Sequence, residues 1–190
     1  MTTNEQWING KFEETDIDYK ISDTLILWKY EEPILKKGVE LLCEKHKPKS
    51  ILEFGFGKGW TATEFQKQDV QRHVILEPNK ENYQMALEWK KQYNTNIEIL
   101  NIFSWDFETT EKFDLVYDDR QQFTLEDDDI HYKQMSKILE DGQWYSYYTN
   151  KALNKYYDNY PIYFELNDIL YVQTLKKYNQ PRRFIYNGNS

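Results

Sequence analysis

A single cysteine, Cys43, leaves the chain without any internal disulfide to staple its fold. It stands in the apolar stretch VELLCEKH, where a thiol is expected to be buried and inert. Nowhere do 18 apolar residues run together, so no membrane-spanning helix is expected. The N-terminal MTTNEQWINGKFEETD lacks the basic and apolar regions of a secretory signal, which points to a cytoplasmic protein. Basic residues are also outnumbered: 24 Lys and Arg against 32 Asp and Glu leave a net charge of −8. A nucleic-acid partner is therefore not expected, because phosphate recognition depends on clustered cations; neutral or cationic ligands are favoured. His46, His73 and His131 are scattered without metal-ligand spacing, and the adjacent carboxylates of EDDDIHYK (126–133) suit a solvated helix start, so no metal site is expected. No G-x-S-x-G elbow or Cys/His pairing points to a covalent nucleophile.

Proline is sparse, with five residues and no Pro-rich linker, and no internal repeat divides the sequence; residues 1–190 read as one domain. What the chain has in quantity is aromatic residues, 17% of the total, which must supply much of a core drawn from only 39% apolar residues. Helical spacing of Ile34, Leu35, Val39 and Leu42 predicts a helix from Pro33 to near Pro48. SILEF (50–54), HVILE (73–77), IEILNI (97–102), FDLVY (113–117) and QWYSYY (143–148) read as strands. Helices are predicted between them from Trp60 to about Gln68, from Pro78 to about Tyr93, and around Tyr132, Met135 and Leu139. Strands alternating with helices predict an α/β fold, a Rossmann-like sheet that is mainly parallel. YPIYFELND, ILYVQTLKKY and RRFIY follow with no room for crossover helices, so the C-terminal end of the sheet is expected to be antiparallel.

Glycine is scarce too, yet three of the seven stand at positions 55, 57 and 59, between a predicted strand and a predicted helix. Such a loop can fold tightly around a ligand at the carboxyl edge of an open sheet. A dinucleotide-binding turn wants G-x-G-x-x-G, and Trp60 breaks that pattern; the run here is E-x-G-x-G-x-G. At the end of the next strand Glu77 can accept hydrogen bonds from both hydroxyls of an adenosine ribose. Glu53 can hold a methionine ammonium, directly or through water; the alternative is an ordinary loop carboxylate. Trp105 can cover an adenine face and Asp106 accept from its exocyclic amine, or the two can serve packing and solvation alone.

WKYEEP (28–33), ILEFGFGKG (51–59), VILEP (74–78), SWDF (104–107), LVYDD (115–119) and KILEDGQWYSYY (137–148) resemble the guanidinoacetate N-methyltransferase family, which is close to arginine N-methyltransferases. The resemblance spans roughly residues 24–150. It implies a class I methyltransferase that takes S-adenosyl-L-methionine and releases S-adenosyl-L-homocysteine, with a small molecule or arginine as acceptor. It also implies that Glu31 and Asp118 grip a guanidinium and that the methyl passes in line to nitrogen. The competing structural roles are a helix start for Glu31 and a strand end for Asp118. Residues 1–30 read as an N-terminal lid, with Tyr19, Trp28 and Tyr30 forming either an aromatic cover or an apolar staple. Asp119 and Arg120 stand where the family has Thr and an aromatic residue, which leaves open another small acceptor or a non-catalytic S-adenosylmethionine-binding regulatory protein. A homodimer is compatible with the sequence.

Overall fold

A computed structural model describes residues 4–118, 138–149 and 182–187. In chain order the elements are α1 (Asn4–Asn9), β1 (Phe12–Glu14), β2 (Asp18–Ile21), β3 (Thr24–Trp28), α2 (Glu32–His46), β4 (Ser50–Phe54), α3 (Trp60–Gln66) and β5 (Arg72–Leu76). There follow α4 (Lys80–Lys90), β6 (Asn96–Leu100), β7 (Phe113–Asp118), β8 (Leu139–Thr149) and β9 (Arg182–Asn187).

The larger sheet has the order β6-β5-β4-β7-β8-β9. Its first five strands are parallel, and β9 pairs antiparallel to β8 through Trp144↔Asn187 to Thr149↔Arg182. The Rossmann-like sheet and its antiparallel C-terminal end are thus as the sequence predicts. Because strand side chains alternate, the parallel strands bury two faces. Leu52, Phe54, Val74, Leu76 and Val116 pack with Phe107, Phe113 and Ile138. Ile51, Leu115 and Tyr117 meet Val39, Leu42, Cys43 and Phe65. Each such aliphatic or aromatic side chain contributes about 1.5–3 kcal/mol by leaving water.

One prediction is corrected. Leu139 does not lie in a helix but opens β8, opposite Phe113 of β7; backbone pairing with β7 outweighs its helical spacing. Tyr132, Met135, the acidic run 126–133 and the predicted strands YPIYFELND and ILYVQTLKKY fall outside the described residues. Among the described residues no helix is long and apolar enough to cross a membrane.

The N-terminal residues form a second, three-stranded antiparallel sheet, β1-β2-β3. Its β2–β3 hairpin pairs Ile21 with Thr24 across Ser22 and Asp23, both with positive φ, 47° and 66°. Two such residues in a two-residue loop match the right-handed twist of the flanking strands. The sheet packs through Tyr19 and Leu27 onto Leu35 of α2, with Phe12, Ile26 and Trp60 at the margin.

His46, in the last turn of α2, carries a measurable consequence for stability. Burial, followed by the nearby Lys45 cation, drives its pKa from 6.5 down to about 4. The unfolded chain therefore binds a proton that the native chain refuses. The stabilisation is present above pH 6.5 and is lost as the pH falls toward 4. Discounted for partial exposure, the loss is about 1–2 kcal/mol. Urea unfolding from pH 7.5 to 4 should show a shallower decline for His46→Gln than for the wild type between pH 6.5 and 4; identical slopes would refute this.

Candidate active site

In an open parallel sheet, ligands bind outside the carboxyl ends of the strands, where the strand order reverses. Here that point lies between β4 and β7, and the register places Phe54 beside Asp118. The glycine loop leaves β4 at this point. Gly55 N donates to Leu76 O at 2.8 Å and Gly59 N to Phe56 O at 2.7 Å, which folds the loop back on itself. Gly55 has a φ of 86°, and a Cβ built there would meet none of the described residues within 4 Å. At Gly57 a Cβ would stand only 2.8 Å from Leu27 Cδ1, so the N-terminal sheet lies directly against the loop.

Glu77 follows β5 and is buried. Its Oε2 accepts from Phe56 N at 2.9 Å and its Oε1 from Asn79 N at 2.8 Å. Burial pushes this carboxyl above its ordinary range, against the opposing pull of the Phe56, Asn79 and Gly57 amides and the Asn82 side chain.

Glu53 faces inward. It is 0% exposed, its Oε1 accepts from the Thr61 hydroxyl at 2.5 Å, and its Oε2 lies 2.9 Å from His73 Nε2. The other ring nitrogen of His73 is 3.0 Å from Gln66 Nε2. The structure thus turns Glu53 toward α3 and β5, whereas Gly55, Gly57, Gly59 and Glu77 come together at one strand edge.

The remaining predicted residues occupy three positions. Trp105 and Asp106 lie in a short 3₁₀ turn, Ser104–Asp106, beyond β6. Trp105 is 42% exposed and stacks on Phe103 with 4.3 Å between ring centroids; Asp106 is exposed. Asp118 is only 2% exposed at the end of β7, and Asp119 and Arg120 lie outside the described residues. Glu31 is buried ahead of α2, and its Oε2 accepts from Trp28 N at 2.8 Å, closing the chain turn that starts the helix. Trp28 and Tyr30 stack on each other at 5.9 Å. Tyr19 instead packs edge-on against Trp60, with Lys58 Nζ 4.9 Å from its ring centroid.

A model of the guanidinoacetate N-methyltransferase family matches residues 2–162. No curated protein matches the sequence. The N-methyltransferase NodS from Bradyrhizobium japonicum WM9 resembles the structure with a TM-score of 0.60 at 11% identity, over 85% of this chain and 97% of that one. Its complex with S-adenosyl-L-homocysteine gives 0.56 at 16% identity, over 65% of this chain and 63% of that one, so the chain spans less than two thirds of that structure. The tRNA (m1A58) methyltransferase TrmI from Aquifex aeolicus gives 0.53 at 19% identity, over 81% and 74% of the two chains. At these identities the likeness is one of fold.

Sequence reasoning missed Asn79, the residue that joins the site to the N-terminal segment. Its Oδ1 accepts from Asn82 N at 3.0 Å and caps α4, while its Nδ2 donates to Trp7 O at 2.7 Å and Gly10 O at 2.8 Å. Asparagine after an E-P pair at a helix start signals the cap, but nothing local signals carbonyls some 70 positions away. Asn79→Asp separates the two roles, since aspartate caps equally well but turns an acceptor toward both carbonyls. The expected loss is about 1–3 kcal/mol, with faster proteolytic cleavage confined to the first 14 residues. Equal cleavage rates for variant and wild type would show that the side-chain amide does not hold this segment.

Proposed function

The chain belongs to the guanidinoacetate N-methyltransferase family and is a class I S-adenosylmethionine-dependent methyltransferase; from that premise we propose that it methylates a guanidino nitrogen, on a small molecule or an arginine side chain. The observation that carries this reading is the position of Asp118. It is a buried carboxylate at the point where strand order reverses, beside Phe54, the residue that precedes Gly55. The loop fits the cofactor, because no described residue fills the space a Cβ would take at Gly55, at the sheet's ligand-binding edge. Gly55, Gly57 and Gly59 would hold its methionine end, and Glu77 would accept the ribose hydroxyls on oxygens that it shares with the loop amides. Trp105 and Asp106 would take the adenine face and amine.

S-Adenosylmethionine, when bound, supplies an electrophilic methyl group on a sulfonium. The residues of this chain act on the acceptor. A guanidinium nitrogen is a poor nucleophile while its lone pair is shared across the group. Asp118, with Glu31, would draw positive charge onto the other nitrogens and orient the one that reacts. That nitrogen must lose a proton, which Asp118 would receive. In this reading residues 1–30 serve as the lid, and residues 1–190 act as one domain in the cytoplasm. Tyr19 and Leu27, which pack above the glycine loop, support the lid.

Calorimetric titration with S-adenosylhomocysteine should give a dissociation constant well below about 1 mM. Methyl transfer to guanidinoacetate, free arginine, arginyl peptides and simple amines then identifies the acceptor class. Asp118→Asn should lower turnover at least about a hundredfold on whichever acceptor the wild type uses, with cofactor affinity nearly unchanged; wild-type turnover in that variant would remove Asp118 from the mechanism. Gly55→Ala fills space that no described residue occupies. It should cost about 1 kcal/mol or a little more in stability for its positive φ and sharply reduce S-adenosylhomocysteine binding.

A further inference from the structure

Glu53, Thr61, His73 and Gln66 form a polar cluster inside a layer that is otherwise apolar. Ile51, Phe65 and Tyr117 belong to the core on this side of the sheet, with Ala62 and Ile75 in the adjoining cluster. Glu53 and His73 are both 0% exposed. Removing a carboxylate from water costs several kcal/mol unless its contacts compensate, and apolar side chains of similar volume would pack here without that cost. The contacts therefore merit a reason, and their positions in the chain supply one.

Glu53 is the penultimate residue of β4, and Thr61 is the second residue of α3. Everything between them is the glycine loop. Their 2.5 Å bond ties the two ends of that loop together across its base. His73, on the neighbouring strand β5, brings Nε2 within 2.9 Å of the other carboxylate oxygen, a close contact without hydrogen-bond alignment, and Gln66 approaches the far side of the imidazole at 3.0 Å.

We propose that Glu53, anchored by His73, is a positioning residue: it fixes the span of the glycine loop by fastening the first turn of α3 to the end of β4. It then acts on the cofactor through the backbone and not as a ligand of the methionine ammonium. This deepens the methyltransferase reading and rests on it for the identity of the ligand, while the tether itself is a property of the ligand-free chain.

The test uses the full chain with Thr61→Val, Thr61→Ser and His73→Phe. Valine keeps the shape of threonine and removes the hydroxyl, serine restores the hydroxyl, and phenylalanine keeps the edge contact with Phe65. Without ligand, amide hydrogen exchange across residues 55–63 should accelerate about tenfold in Thr61→Val and His73→Phe and stay at the wild-type rate in Thr61→Ser, as expected for a local opening made easier by one hydrogen bond. The same two variants should bind S-adenosylhomocysteine about tenfold more weakly, with Thr61→Ser again like the wild type. A purely structural loss would raise exchange throughout the sheet and would not be rescued by serine, which would overturn the proposal. Unchanged exchange in both variants would also overturn it. Failure of the wild type to bind S-adenosylhomocysteine would instead sink the cofactor reading, and the exchange comparison would still judge the tether.

Discussion

The carboxylate of Glu77 is the junction on which the site depends. Through Phe56 N it holds the glycine loop, and through Asn79 N it holds the entry to α4. Its own backbone N donates to Leu100 O, and its carbonyl accepts from Asn101 Nδ2, so the end of β6 is joined to the same point. A buried carboxylate is costly unless its lone pairs are filled, and main-chain amides fill them without any side-chain entropy. One desolvated charge therefore ties the loop, a helix start and a strand end together. Asn79 extends the connection to the N-terminal segment through Trp7 and Gly10.

The four carboxylates that the sequence motifs single out, Glu31, Glu53, Glu77 and Asp118, are all buried. Glu53 and Glu77 face partners that organise the chain, a hydroxyl and an imidazole for one, backbone amides for the other. Glu31 starts a helix. Asp118 differs in place, since it ends the strand at which the sheet reverses its order.

The parallel strands were legible because their apolar runs are continuous and bounded by glycine or helix-start residues, as with SILEF before Gly55 and HVILE before Pro78. The glycine loop was legible because three of so few glycines stand together. The N-terminal sheet was not. Its strands are short and β1 is mostly exposed, and its hairpin turns at Ser22 and Asp23, which lack the Asn-Gly or Asp-Gly signature. The alternation in DYKISDTLILW was the available signal. His73 looked like one of three scattered histidines because its partner, Glu53, is twenty positions away in sequence and becomes a neighbour only when β4 and β5 pair. Periodicity reports which face a residue takes; it does not report what waits on that face.

The motif E-x-G-x-G-x-G combines four constraints that a pattern presents as one. Glu53 answers to Thr61 and His73, inside the fold. Gly55 answers to its positive φ, with no described residue near the place of its Cβ. Gly57 answers to Leu27, since any side chain there would strike the sheet that covers the loop. Gly59 answers to the ring of Phe56, which comes within 2.6 Å of where its Cβ would be. Three of the four positions are therefore set by the protein's own packing. It follows that such a loop can be retained by a protein whose acceptor has changed, and that its presence identifies the methyl donor without constraining the acceptor. The acceptor has to be sought elsewhere, at the end of β7, where the sheet reverses its order and Asp118 is buried.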